Sequence, residues 1–140
     1  MILSLDANVL IDLANQRRPF VRDRFDAALA AGHTLTTCSL AAQELLYGAS
    51  ISARPDVQLL TARTLLGLVR VSEFSLDDAE AAAALRAVLK AAGRPIGSID
   101  VLIAGQALGR GWAVVTGNLR EFSRVPGLEI IDWTPPTENL

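Results

Sequence analysis

The sequence predicts an α/β fold, a three-layer α/β/α sandwich with a central parallel sheet. Short apolar segments of strand length alternate with helical segments along the whole chain. These strand segments are apolar throughout, as expected for strands that are covered on both faces. With 140 residues, 51% of them hydrophobic, and no internal repeat or low-complexity linker, the chain is expected to form one domain with a substantial core.

The elements in the first half each have a local start signal. Asp and Ser are favoured N-caps, because their side chains accept the free N–H groups of the first helical turn, and Pro suits the first helical position. The predicted order is a strand at 2–5, a helix capped by Asp6, a helix from Pro19 to about Ala31, a strand at 34–38, a helix capped by Ser39, and a helix from Pro55 to about Leu68.

The second half continues the alternation. The predicted order is a strand at 69–74, a long helix headed by a capping box at Ser75–Asp78 and stopping at Gly93, a helix capped by Ser98 and ending near Gly109 or Gly111, a strand at 113–116, a helical turn at 118–122 and a strand at 128–131. The closing WTPPTENL cannot extend the fold because of its adjacent prolines. We therefore expect a single domain over residues 1–133 and a flexible C-terminal tail over 134–140.

Composition excludes several classes of protein. No apolar run approaches the length of a membrane span, and MILSL is too short for a signal peptide, so the chain is expected to be cytoplasmic. One cysteine, Cys38, and one histidine, His33, allow neither an internal disulfide nor a zinc site. A net charge of −2 speaks against a protein that coats nucleic acid. The glycines of AAGRPIGSID lack the spacing of a nucleotide-binding P-loop.

Three acidic residues stand where apolar ones are expected: Asp6 in MILSLDANVL, Glu44 in SLAAQELLYG and Asp100 in GSIDVLIAGQAL. Each lies at or just beyond a junction with a helix, and Glu44 and Asp100 fall on apolar helix faces. All three can meet at the carboxyl edge of a parallel sheet, where such folds bind ligands. At about 5 Å, each pair would repel by roughly 3 kcal/mol at an effective dielectric near 20, so a cation or protons must neutralise them.

The same acids also have structural interpretations. Asp6 could be a helix N-cap with no further role, and Asp100 could simply complement the helix dipole. Glu44 has no such role in the middle of its helix, which favours a functional site. Oxygen ligands from carboxylates suit Mg²⁺ or Mn²⁺, the ions of phosphoryl chemistry.

The chain resembles the PIN-domain nucleases, and among them the VapC-type toxins of bacterial toxin–antitoxin pairs. The motifs that carry the resemblance are LDANVLIDL, AAQELLYGA, IGSIDVLIAGQAL and VVTGNLREF, in order from residue 1 to about 133. The resemblance implies a PIN-like fold and an Mg²⁺- or Mn²⁺-dependent endoribonuclease that inhibits translation, with Asp6, Glu44 and Asp100 as metal ligands. It further implies a homodimer held inactive by a VapB-type antitoxin.

Asn118 departs from the family pattern, in which a fourth acid often stands two residues after the position of Thr116. An amide oxygen brings no charge, so one firmly held metal is expected rather than two. Thr116 is either a hydroxyl that positions a ligand or water, or an ordinary threonine at a strand end. Asn8 either orients Asp6 through a hydrogen bond or forms a local Asx cap.

The arginines that follow the first helix have two interpretations. Arg17, Arg18, Arg22 and Arg24 form either a solvated helix face or a rim that contacts RNA phosphates. Tyr47 and Phe20 could stack on unpaired bases, although packing is the expected role of both.

Three other functions compete with catalysis by this site. A PIN-like module could bind RNA or a protein partner without cutting, which Asn118 and the acidic net charge would allow. A haloacid-type phosphatase needs a second Asp where this chain has Asn8, and a receiver domain needs a lysine on its last strand. Neither requirement is met.

Overall fold

A computed structural model describes residues 1–16 and 18–134 and has the predicted α/β/α architecture. The strands are β1 (Ile2–Leu5), β2 (Thr34–Cys38), β3 (Arg70–Ser72), β4 (Ala113–Val115) and β5 (Ile130–Ile131). The helices are α1 (Ala7–Asn15), α2 (Pro19–Ala30), α3 (Ser39–Ser50), α4 (Pro55–Leu66), α5 (Leu76–Ala91), α6 (Ser98–Arg110) and α7 (Leu119–Phe122). All strand pairings are parallel, in the order β3-β2-β1-β4-β5.

The sheet order places a topological switch point between β1 and β4. From β1 the chain moves outward to β2 and β3, then returns to the other side of β1 with β4 and β5. Leu5 pairs with Val115 at the carboxyl ends of these two central strands. Neighbouring crossovers leave the sheet in opposite directions here, which opens a crevice above the strand ends.

Both central strands are buried on both faces. Leu3, Leu5, Val114 and Val115 are among the least exposed residues, in one continuous core with the inner faces of the helices. This burial explains the uninterrupted apolar sequence of the strands and holds their carboxyl ends in a fixed position.

Helix α6 is held closely against α5. A Cβ atom at Gly105 would lie only 2.5 Å from the Cα of Ala82, so the two backbones approach at a distance that only glycine allows. At the head of α5, Ser75 and Asp78 form the predicted capping box. This packing fixes α6, which carries Asp100 in its first turn.

Two predicted helix caps are wrong. Ser39 and Ser98 are the first residues of their helices, and the preceding Cys38 and Gly97 provide no side-chain cap. The hydroxyl of Ser39 instead accepts the backbone N–H of Phe74 at 3.2 Å. Strands β3 and β5 are also shorter than the sequence pattern predicted.

The first two residues of the closing segment WTPPTENL are packed against the domain. Trp133 is buried and meets the ring of Phe25 edge-on, with 6.5 Å between ring centroids. Thr134 is half-buried, and its backbone N–H donates to Asp132 at 2.9 Å. Residues 135–140 of the predicted flexible tail lie outside the described residues. None of the described helices is long and apolar enough to cross a membrane.

Candidate functional site

Asp6 lies at the switch point, directly after β1, and its side chain is held on both oxygens. Its Oδ1 accepts the N–H of Val9 at 3.0 Å, which caps α1 as predicted, and its Oδ2 accepts the hydroxyl of Thr116. Burial raises the pKa of Asp6, although the bonds from Thr116 and from the backbone of Val9 and Asn8 oppose this. Asp6 is therefore a fixed carboxylate with its charge only partly compensated.

Thr116 connects the two central strands at their carboxyl ends. It follows β4, is fully buried, and its hydroxyl donates a hydrogen bond to Asp6. Its Oγ1 also accepts the backbone N–H of Asn118 at 2.9 Å. These two hydrogen bonds are those expected of a hydroxyl that positions Asp6, and an ordinary threonine at a strand end would not need them.

Glu44 lies in α3 on the boundary of the site, not in the core. Its side chain is half-buried, Ala41 on the same face is fully buried, and Tyr47 one turn on is 57% exposed. Burial, and then the charge of Asp6, raise the pKa of Glu44. The helix face that carries Glu44 is thus buried on the N-terminal side of Glu44, at Ala41, and exposed on its C-terminal side, at Tyr47.

Asp100 is half-buried in the first turn of α6 and faces several other acids. Its Oδ2 accepts the side-chain N–H of Asn118 at 3.1 Å. Burial raises the pKa of Asp100, and its hydrogen bond to Glu121 and the charges of Glu121, Asp6 and Glu44 raise it further. The fold has thus placed all three predicted acids within electrostatic range of one another.

Glu121 is a member of the cluster that sequence reasoning missed. Its Oε2 accepts the side-chain N–H of Asn118 at 3.2 Å and the backbone N–H of Gly97 at 3.4 Å. The hydrogen bond with Asp100 lowers the pKa of Glu121, whereas the pKa of Asp100 is raised. The Asn-x-x-Glu spacing of Asn118 and Glu121 was the available sequence signal, since residues three apart share a helix face.

Among the described residues, no three His, Cys, Asp or Glu side chains are grouped closely enough to hold a metal ion as they stand. The donor set nonetheless fits a hard divalent cation. It consists of carboxylate oxygens, and none of the ion pairs found in residues 1–16 and 18–134 involves Asp6, Glu44 or Asp100. The pKa values of these three acids are raised, which is the electrostatic deficit that a cation would relieve.

The predicted arginine rim is mostly engaged in local contacts. Arg22 pairs with Asp26 at 3.1 Å, and Arg24 stacks over Phe20 at 4.8 Å from the ring centroid, which supports the solvated-face interpretation for both. Arg18 differs, because it contacts Asp12 at 3.7 Å beside the site. Arg17 lies outside the described residues.

The side chains of three other residues considered in the sequence, Asn8, Tyr47 and Cys38, lie outside the hydrogen-bonded cluster of acids. Asn8 is exposed, and only its backbone N–H contributes to the environment of Asp6, so its side chain does not orient that carboxylate. Tyr47 is exposed and remains available for contact with a ligand. Cys38 is buried in the core, as a structural cysteine should be.

Known proteins share this fold over nearly the whole chain. A family model described as PIN domain matches residues 3–128. The tRNA(fMet)-specific endonuclease VapC of Salmonella typhimurium is 36% identical over 131 residues, covering 92% of this chain and 96% of that protein. The ribonuclease VapC2 of Rickettsia felis is 29% identical over 133 residues, covering 95% and 98%.

Solved structures give the same result. VapBC2 from Rickettsia felis, bound to a DNA fragment from its promoter, matches with a TM-score of 0.89 and 28% identity, covering 95% of this chain and 99% of the matched chain. DNA-bound VapBC from Salmonella typhimurium matches with a TM-score of 0.87 and 34% identity, covering 95% and 98%.

Proposed function

The chain belongs to the PIN domain family and is a VapC-type endoribonuclease, the toxin of a toxin–antitoxin pair, and we propose that its acidic cluster is the active site. In this proposal Asp6, Glu44 and Asp100 hold one Mg²⁺ or Mn²⁺ ion, with Glu121 and Asn118 beside them. The observation that carries the proposal is the set of acids at the switch point whose raised pKa values no ion pair in the described structure relieves. The ion, when bound, supplies charge neutralisation at the scissile phosphate and activates water.

The chain's own contribution is the orientation of the acids. Thr116 and the N–H of Val9 fix the two oxygens of Asp6, and the backbone N–H of Asn118 fixes Thr116 in turn. The amide of Asn118 donates to both Asp100 and Glu121, which keeps these two carboxyl groups together despite their repulsion. Asn118 therefore positions two acids without adding charge.

Cleavage assays with conservative variants test the assignment. We expect Asp6→Asn, Glu44→Gln and Asp100→Asn each to lower the rate of RNA cleavage by at least about 10²-fold, because each removes a charged ligand while keeping its shape. EDTA should abolish cleavage by the native protein, and Mn²⁺ should restore it. Sequencing the 5′ ends produced on total RNA, with Asp6→Asn as the control, identifies the cleavage sites.

A matched change elsewhere separates the site from general charge effects. Asp23→Asn makes the same substitution on the exposed side of α2 and should leave cleavage unchanged. Full activity in EDTA, or full activity of the three site variants, would contradict the assignment. A protein that binds RNA but neither cleaves it nor binds Mn²⁺ would support the binding-module alternative.

We further propose a VapB-type antitoxin as partner, a homodimer as the assembled form, and inhibition of translation in the cytoplasm as the outcome. Matched structures at 28–34% identity are VapBC complexes, which supports the antitoxin. Co-purification from the native host and light scattering of the isolated chain test these points. A monomer that never associates with a small partner protein would count against them.

A further inference from the structure

A cleft of about 510 Å³ opens beside the acidic cluster, on the other side of Asn118. It lies above the carboxyl ends of β1 and β4, between the residues that follow Asp6 and those that follow Thr116. Asn118 lines the cleft and also donates to Asp100 and Glu121, so the cleft and the acids share one wall. Whatever occupies the cleft therefore lies next to the proposed active site.

The lining combines apolar, polar and charged side chains. Ile11 is half-buried and provides apolar surface, whereas Val9, Val21 and Trp133 are only 5%, 1% and 6% exposed, and Trp133 is held in place by its contact with Phe25. Asp12, Arg18 and Asp132 are the charged groups of the lining. Asp132 is itself fixed, because its Oδ1 accepts both the N–H and the hydroxyl of Thr134, at 2.9 and 2.5 Å.

Asp12 and Arg18 place an acceptor and a donor side by side. Their side chains are 25% and 54% exposed, and the closest approach of 3.7 Å is too long for a direct hydrogen bond. By contrast, Arg22 donates to Asp26 at 3.1 Å, in contact with solvent on α2. Among residues 1–16 and 18–134 neither side chain makes a hydrogen bond, so the Asp12–Arg18 pair offers hydrogen-bonding groups to a ligand in the cleft.

We infer that this cleft is a subsite for one unpaired nucleobase of the RNA, next to the cleaved phosphodiester, and that Asp12 and Arg18 contact the edge of that base. A base has apolar faces and a rim of donors and acceptors, which matches a cleft that offers both apolar and hydrogen-bonding side chains. A phosphate group fits poorly, because Asp12 and Asp132 would repel it. The inference rests on the proposed function, since it assigns a role to the RNA beside the same acids.

Cleavage of matched oligonucleotides tests the subsite. The substrates are short unpaired RNAs that carry each of the four bases, or an abasic residue, on one side of the cut and then on the other. For the native protein, kcat/KM for the preferred base should exceed that for abasic RNA by about tenfold or more. In Asp12→Asn and Arg18→Gln this ratio should fall by about fivefold or more, because a base-edge contact is lost.

Two matched variants serve as controls. Asp23→Asn on α2 and Arg63→Gln on α4 make the same changes at exposed positions outside the cleft, and both should retain the native ratio. Native rates that agree within about twofold for all bases and for abasic RNA would overturn the inference while leaving the nuclease intact. If the native protein cleaves neither these RNAs nor total RNA with Mn²⁺, the proposed function fails instead.

Tryptophan fluorescence gives a second readout that does not need cleavage. The chain has two tryptophans, and Trp112→Phe leaves Trp133 in the cleft as the only one. We expect nucleoside monophosphates to quench Trp133 saturably, with at least fivefold weaker binding when Asp12→Asn is added and unchanged binding when Asp23→Asn is added. Ribose 5-phosphate, which lacks the base, should not quench. Equal quenching by ribose 5-phosphate, or no saturable quenching by any nucleotide, would overturn the subsite.

Discussion

The two ends of helix α6 carry charged residues in opposite electrostatic situations. At its C-terminal end, Arg110 donates to both oxygens of buried Asp78, at 2.9 and 2.7 Å, and Gln106 adds a bond at 3.0 Å. Burial alone would raise the pKa of Asp78, but the bonds from Arg110, Ser75 and Gln106 outweigh it and hold that pKa well below its usual range. At the N-terminal end, Asp100 is surrounded by other acids and its pKa is raised.

The contrast shows how a buried acid can be assigned a role. Asp78 has a cation and hydrogen bonds supplied by the protein, so its charge stabilises the packing of α5 on α6. Asp100 has a neutral amide beside it and faces three other acids, so its charge opposes folding unless a cation is added. A buried acid without a protein cation at a switch point is therefore the functional candidate, and one with a cation is structural.

The largest stability effect is expected from Arg110→Met. It leaves Asp78 buried without its cation, which should lower the free energy of unfolding by about 3 kcal/mol. Urea unfolding at pH 7 measures the change, with Arg63→Met on the exposed side of α4 as the control. A loss below about 0.5 kcal/mol would show that Asp78 does not depend on this pair.

The two ends should also respond oppositely to pH. The pKa of Asp78 is depressed, so its stabilisation is present above the unfolded-state value of about 4 and is lost as the pH falls below it. The pKa of Asp100 is raised, so the metal-free fold should gain stability as the pH falls from 8 to 5.

Urea titrations at pH 8, 5.5 and 3.5 in EDTA separate these contributions. Asp100→Asn should remove part of the gain between pH 8 and 5.5, and Arg110→Met should remove part of the loss between pH 5.5 and 3.5. The same pH dependence of stability in both variants would show that the two ends of α6 do not differ as described.

A smaller effect is expected from Asn118→Asp. This change adds a carboxylate between Asp100 and Glu121, and it should lower metal-free stability by about 1 kcal/mol through repulsion. Because the added charge attracts a cation, Mn²⁺ affinity should rise at the same time. Gln58→Glu on α4, which makes the same chemical change, should alter neither quantity, and calorimetry with urea unfolding measures both.

The elements set by local signals were predictable from the sequence. The capping box at Ser75 and Asp78, the prolines that open α2 and α4, and the N-cap at Asp6 depend on neighbours within one helical turn. The apolar strands then fixed the parallel sheet and its carboxyl edge. These features were sufficient to bring Asp6, Glu44 and Asp100 to the same edge in prediction and in the structure.

The features that were missed depend on contacts between distant segments. The Ser39 hydroxyl holds Phe74 rather than capping its own helix, and Trp133 packs on Phe25 although prolines follow it. Glu121 joins the site only because Asn118 and the N–H of Gly97 lie beside it once the chain has folded. The spacing of neighbouring residues in the sequence does not predict contacts between such distant segments.

Calorimetric titration of the metal-free chain with Mn²⁺ tests the central claim most directly. If the acids at the switch point form a cation site, the native protein binds one Mn²⁺ per chain, Asp6→Asn and Asp100→Asn abolish that binding, and Arg110→Met retains it despite its lower stability. If the native protein binds no Mn²⁺, or the two aspartate variants bind it as well as the native protein does, the acids are not a metal site and this account of the molecule is wrong.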